Sequence, residues 1–148
     1  MTMALRRMDN VLIVVSDLDA VIAFFVEIGM ELEGRGPVEG QWVERVIGVA
    51  RVRQEVAMLR TPDGQGKVEL ASFSQPEALR LEPEDAPANT LGIRRIMFAV
   101  DDVEDVIARL RRHGADLVGT VERFEDIYLL CYVRGPEGII VGLAQELR

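Results

Sequence analysis

Apolar positions follow two rhythms along this chain. Val11 to Val15 and Ile96 to Val100 are short unbroken apolar runs of the kind that form buried strands. Each run meets an acidic residue, Asp17 or Asp101, whose carboxylate can accept the free N–H groups of a starting helix. Leu18, Val21, Ile22, Phe25 and Ile28 then recur at three-and-four spacing, as do Val103, Val106, Ile107 and Leu110, which predicts a helix with one buried face in each place. Asp101 with Glu104 has the form of a capping box, and Arg109, Arg111 and Arg112 fall where a helix C-terminus favours cations. Gly29 and Gly114 supply left-handed stops. Strand-like runs follow at Gln54 to Arg60, Lys67 to Phe73, Ile127 to Arg134 and Ile139 to Ala144. Within each half the two runs are joined by a Pro-acid-Gly turn, Pro62-Asp63-Gly64 or Pro136-Glu137-Gly138. Gly34, Gly36 and Gly40 with Pro37 among them read as a strand end and turn.

The two rhythms belong to a repeat. The segment from Asn10 to Gly34 aligns without a gap on Arg95 to Gly119 at a constant separation of 85 positions (Asn10 to Arg95), matching Val15 with Val100, Asp17 with Asp102, Val21 with Val106 and Gly29 with Gly114. Residues 8–73 and 91–148 therefore read as two βαβββ modules of one domain. Residues 74–90 read as a linker, with Pro76, Pro83 and Pro87 among polar neighbours. The expected class is α+β, with the modules forming a curved mixed sheet and the helices outside.

Charge and composition remove several functions. Seventeen Lys and Arg against 25 Asp and Glu give a net charge of −8, so binding to nucleic acid phosphates would work against the protein's own field. No apolar stretch near the start is long enough for a signal peptide or membrane span, which points to the cytoplasm and away from a membrane partner. Cys131 is the only cysteine and lies in an apolar strand, so it reads as an inert core thiol. His113 is the only histidine and sits beside Gly114, as a solvated helix-end residue would. With one histidine there, no Ser–His–acid or Cys–His arrangement can be assembled, and no Walker-type phosphate loop occurs.

The strand, Ser16-Asp17-Leu18, helix and Gly pattern, repeated and closed by Pro136-Glu137-Gly138, resembles the glyoxalase/bleomycin-resistance/extradiol-dioxygenase (vicinal oxygen chelate) superfamily. The resemblance implies the glyoxalase/bleomycin-resistance fold and a cleft in which four side chains meet a divalent metal. Carried over position by position, the four ligands fall on Asn10, Glu69, Arg95 and Gly142. Only Glu69 is a strong ligand; Asn10 offers one neutral oxygen, Arg95 is a permanent cation and Gly142 has no side chain. The expectation is a degenerate cleft with neither metal nor other cofactor.

Strand alternation puts Asn10, Leu12 and Val14 on one face and Arg95, Met97 and Ala99 on another. If Glu69 shares the cleft, as the resemblance implies, Glu69 and Arg95 become neighbours. Two readings of that pair stand side by side: Arg95 neutralises Glu69 inside a filled core, or Arg95 grips an anionic group of a small organic molecule. Met58, Tyr128 and Tyr132 join Asn10, Glu69 and Arg95 as candidate ligand-binding residues, the tyrosines having the apolar body and polar tip of a pocket wall. Trp42, in the amphipathic stretch Gln41 to Ile47, can cap a pocket or a dimer contact.

The functional expectation is a small-molecule-binding protein that sequesters a drug or metabolite, paired as a homodimer. The alternative is a glyoxalase-like lyase or isomerase, or a dioxygenase-related enzyme, with an altered site in which Glu69 is the base and Arg95 steadies an anion. A third possibility is a module that only dimerises or binds another protein, its cleft filled by its own side chains.

Overall fold

The computed structural model describes residues 4–80 and 83–147. Its strands form two mixed sheets. In the first, β1 (Val11–Val14), β4 (Lys67–Gln75), β3 (Arg53–Arg60) and β2 (Glu31–Glu39) lie in that order, with β1 parallel to β4 and the other pairs antiparallel. The second runs β5 (Ile96–Ala99), β9 (Ile140–Glu146), β8 (Tyr128–Arg134) and β6 (Asp116–Leu117), with β7 (Glu122–Phe124) also paired to β8. Here β5 is parallel to β9, as β1 is to β4. The helices are α1 (Leu18–Ile28), α2 (Gln41–Ile47) and α3 (Val103–Arg111), and none among the described residues is long and apolar enough to cross a membrane.

The chain divides into two compact units. Residues up to Leu18 with Gly29–Ala78 make one, and Asp19–Ile28 with the chain from Leu79 onward make the other. Nearly all of α1, a helix of the first repeat, is thus grouped with the second sheet. Side-chain contacts show why. The Phe25 ring stands edge-on to Phe98 of β5 with centroids 6.2 Å apart, and the fully buried Phe24 packs on Gly135. Arg109 of α3 donates to both the backbone carbonyl and the carboxylate of Glu27, and His113 Nε2 lies 3.1 Å from Glu27 Oε1.

In the second unit, Val106, Ile107 and Leu110 are buried and α3 lies against β8 and β9. The first N–H of α3, from Val103, is accepted by the side chain of Gln145 on β9. In the first unit, Ala57, Leu59, Val68 and Leu70 fill the buried face of the sheet. Cys131 is buried, and its thiol pKa is pushed up to about 11 by that burial, which keeps the reactive thiolate scarce.

Three local expectations are corrected. The N-cap of α3 is Asp102, one residue later than expected, and its carboxylate accepts the Asp105 N–H at 3.1 Å. The cluster of Gly34, Gly36 and Pro37 does not end a strand: β2 runs through it to Glu39. Proline is tolerated there because β2 is an edge strand, paired only with β3, and a missing donor on the open side breaks no ladder. His113 is not a solvated helix-end residue but a half-buried partner of the Glu27 carboxylate.

Two outcomes follow. A Cβ on Gly135 would sit 2.6 Å from the Phe24 ring, so Gly135→Ala is expected to destabilise the protein by about 1–3 kcal/mol in urea denaturation, with part recovered in combination with Phe24→Leu. The Glu27 carboxyl is held below the ordinary carboxylate range by its hydrogen bond to His113 and then by Arg109. A lowered folded pKa contributes stability above the unfolded value, about pH 4.3, that is lost as pH falls through the folded one. Thermal melts should therefore show wild type exceeding Glu27→Gln above about pH 5, with the gap closing in more acid solution.

Candidate functional site

Each sheet has one face that is only partly covered. In the first unit, register puts Leu12, Glu69, Met58 and Gly34 in one row across four strands. The next row is Val14, Ala71, Val56 and Gly36. Leu12 and Val14 are about half exposed, at 50% and 48%, and Met58, Val56 and Glu69 are half-buried. These two rows are aliphatic, floored by glycine at the β2 edge, and hold one carboxylate, while the next row carries the Arg60–Glu31 pair with Lys67, which pairs with Glu33. Glu69 enters no ion pair among the described residues. Asn10 stands one residue before β1, on the side of Leu12 and Val14 by alternation.

In the second unit the corresponding row is Met97, Gly142 and Tyr132. Arg95, just before β5, shares this face with Met97. Its side chain runs over Gly142 to Tyr132, where Nε donates to the phenol oxygen at 2.6 Å and the guanidinium carbon lies 5.5 Å from the ring centroid. The hydrogen bond and the cation–π contact fix the plane and direction of the guanidinium. The lack of a side chain at position 142 leaves room beneath it. A Cβ on Gly142 would come within 2.6 Å of the Met97 methyl carbon and 3.3 Å of Arg95 Cδ. Within its own unit Arg95 has Tyr132 as its partner, made reachable by the missing side chain between them.

Beyond this row, Ala99, Ala144 and Leu130 lie together, and then Glu146 and Tyr128 with Phe124. Tyr128 therefore shares the open face with Tyr132, four residues further along β8. Trp42 is placed otherwise: it is 62% exposed on α2 and does not line the shallow hollow formed by Gln41, Glu44, Arg45, Gly48, Val49 and Ala50. That hollow contains none of the candidate residues.

The residues at the four inferred ligand positions do not suit a divalent metal. They supply one carboxylate, one amide oxygen and a cation, and the space a fourth side chain would need is taken by Met97 and Arg95. Among the described residues no group of three or more His, Cys, Asp or Glu could hold a metal ion.

The family profile of the Glyoxalase/Bleomycin resistance protein/Dioxygenase superfamily matches residues 7–143, and the chain belongs to that superfamily. A glyoxalase family protein from Bacillus cereus is 50% identical over 98% of this chain and 97% of its own, with a TM-score of 0.94. A glyoxylase/bleomycin resistance protein/dioxygenase domain from Frankia sp. EAN1pec covers 97% of this chain and 99% of its own at 18% identity and a TM-score of 0.66. The trypanothione-dependent glyoxalase I of Leishmania major covers 95% of this chain and 87% of its own at 20% identity, also with a TM-score of 0.66. The latter two likenesses establish fold alone. Among curated proteins, none matches the sequence.

Elemental analysis of the purified protein after incubation with Zn²⁺, Ni²⁺ or Fe²⁺ and desalting is expected to find far less than one equivalent of each. One full equivalent that Glu69→Gln removes would contradict the reading of the donor set.

Proposed function

We propose that this chain is a small-molecule-binding member of its superfamily that works without a metal, sequestering a drug or metabolite as a cytoplasmic homodimer. The observation that carries the reading is the Arg95–Tyr132 pair lying over Gly142 on an open, largely apolar face. A side chain aimed by two contacts and left exposed is suited to meet a ligand, and the surrounding apolar residues give the burial that such binding needs. Tyr128, on the same face, completes the ligand contacts proposed for this unit, and Asn10, Met58 and Glu69 are the contacts proposed for the partly open face of the first unit taken by itself.

A second reading, an enzyme with an altered site, draws on Glu69. A carboxylate without an ion-pair partner among the described residues, set between Leu12 and Met58, is free to take a proton from a carbon acid. The balance between the two readings rests on whether a bound molecule leaves unchanged.

Native mass spectrometry of freshly purified protein is expected to show a dimer mass with a small organic molecule in substoichiometric or full occupancy, released unaltered on denaturation. A monomer at micromolar concentration in light scattering would remove the homodimer. A bound molecule that is converted by wild type but not by Glu69→Gln would replace the binding reading with the enzymatic one.

A further inference from the structure

Resting on the binding reading, we infer that the ligand is an organic carboxylate with an apolar or aromatic body, seated on the open face of the second sheet with its carboxylate at the Arg95–Tyr132 pair. Tyr132 accepts the Nε–H of Arg95 and so leaves the two terminal nitrogens as donors, and Arg95 enters no ion pair among the described residues. Two parallel N–H groups in a plane match the two oxygens of a carboxylate. One cation offsets one negative charge. A dianion such as a phosphate monoester would carry a second charge that Arg95 alone does not match, and Arg134, two residues beyond Tyr132 on β8, is turned to the Gly138 and Ala86 carbonyls, which disfavours that class.

The floor beyond the pair supplies the other half of the ligand. Gly142 and Ala144 follow each other on the open face of β9, Ala99 flanks Ala144 on β5, and Leu130 flanks it on β8. Small side chains along β9 beside Leu130 on β8 give an apolar strip leading away from the guanidinium, bordered by Glu122 of β7 opposite Leu130. Its far end bears Glu146, opposite Tyr128. A carboxylate is repelled there and attracted at Arg95, so the charge arrangement sets a single orientation. Tyr132 is a positioning residue here, acting through Arg95, and Gly142 is the residue whose lack of a side chain allows the pairing.

The test uses isothermal titration of the full chain with phenylacetate and 1-naphthylacetate, each against its primary amide, and with acetate. Wild type is expected to bind 1-naphthylacetate at least about ten-fold more tightly than the amide and more tightly than acetate. Arg95→Met should abolish the preference for acid over amide. Tyr132→Phe, which keeps the ring, should reduce that preference while leaving amide affinity unchanged, as a merely structural role would not. Arg95 and Tyr132 are not fully buried, so folded variants are expected, with circular dichroism as the check. In ¹⁵N-labelled protein the Arg95 Nε–H resonance should shift with 1-naphthylacetate and not with the amide. Equal binding of acid and amide, or an acid preference that survives Arg95→Met, would overturn the inference and leave the binding reading intact. Acetate binding as tightly as 1-naphthylacetate would overturn the apolar half. Absence of binding by every probe would overturn both.

Discussion

Side chains leave a strand alternately to its two faces, and in both sheets of this protein one face is packed in the core while the other is only partly covered. Val68 and Leu70 go inward while Glu69 goes outward; Val141 and Leu143 go inward while Gly142 and Ala144 line the other side. Everything chemical in the chain is a consequence of that division. An exposed outward residue adds little to the core and can change its character without unfolding the protein, although Ala71 and Ile140 are buried on that side too. The inward positions hold the fold, and the outward ones are available for function.

The repeat makes the division visible, because two copies of one frame carry different outward chemistry. The row Leu12–Glu69–Met58 in the first sheet has its counterpart in Met97–Gly142–Tyr132 in the second. One copy retains a carboxylate. The other has a gap, and a cation from the first residue of the repeat has folded over it to an aromatic hydroxyl. Arg95 and Gly142 are best understood together: a bulky residue at 142 would collide with Met97 and Arg95, and histidine at 95 could not bridge to Tyr132 in the same way. The open place at Gly142 and the aimed cation belong to one packing arrangement.

Much of this was legible from sequence because it is local. Apolar runs, three-and-four spacing and the Pro-acid-Gly turns placed β1, α1, β3, β4, β5, α3, β8 and β9 within a residue or two of their observed ends. The failures share a cause. Whether Gly34 to Pro37 can stay extended depends on β2 having an open edge, and edge position is a property of the whole sheet. The partner of His113 is Glu27, 86 residues away on another helix, and Arg95 reaches Tyr132 across 37 residues and an intervening strand. Alternation showed which face Arg95 would occupy. It could not show which of several facing residues the guanidinium would choose, because that depended on an empty place at Gly142.

The central claim is that Arg95 and Tyr132 are energetically one unit across Gly142. A double-mutant cycle of Arg95→Met and Tyr132→Phe, read by urea denaturation at neutral pH, tests it most directly. The account predicts that the two changes together cost less than the sum of their separate costs, by about 0.5–1.5 kcal/mol for a partly exposed charge-assisted bond. Strict additivity would mean that the guanidinium and the phenol do not meet in solution, and would contradict the account.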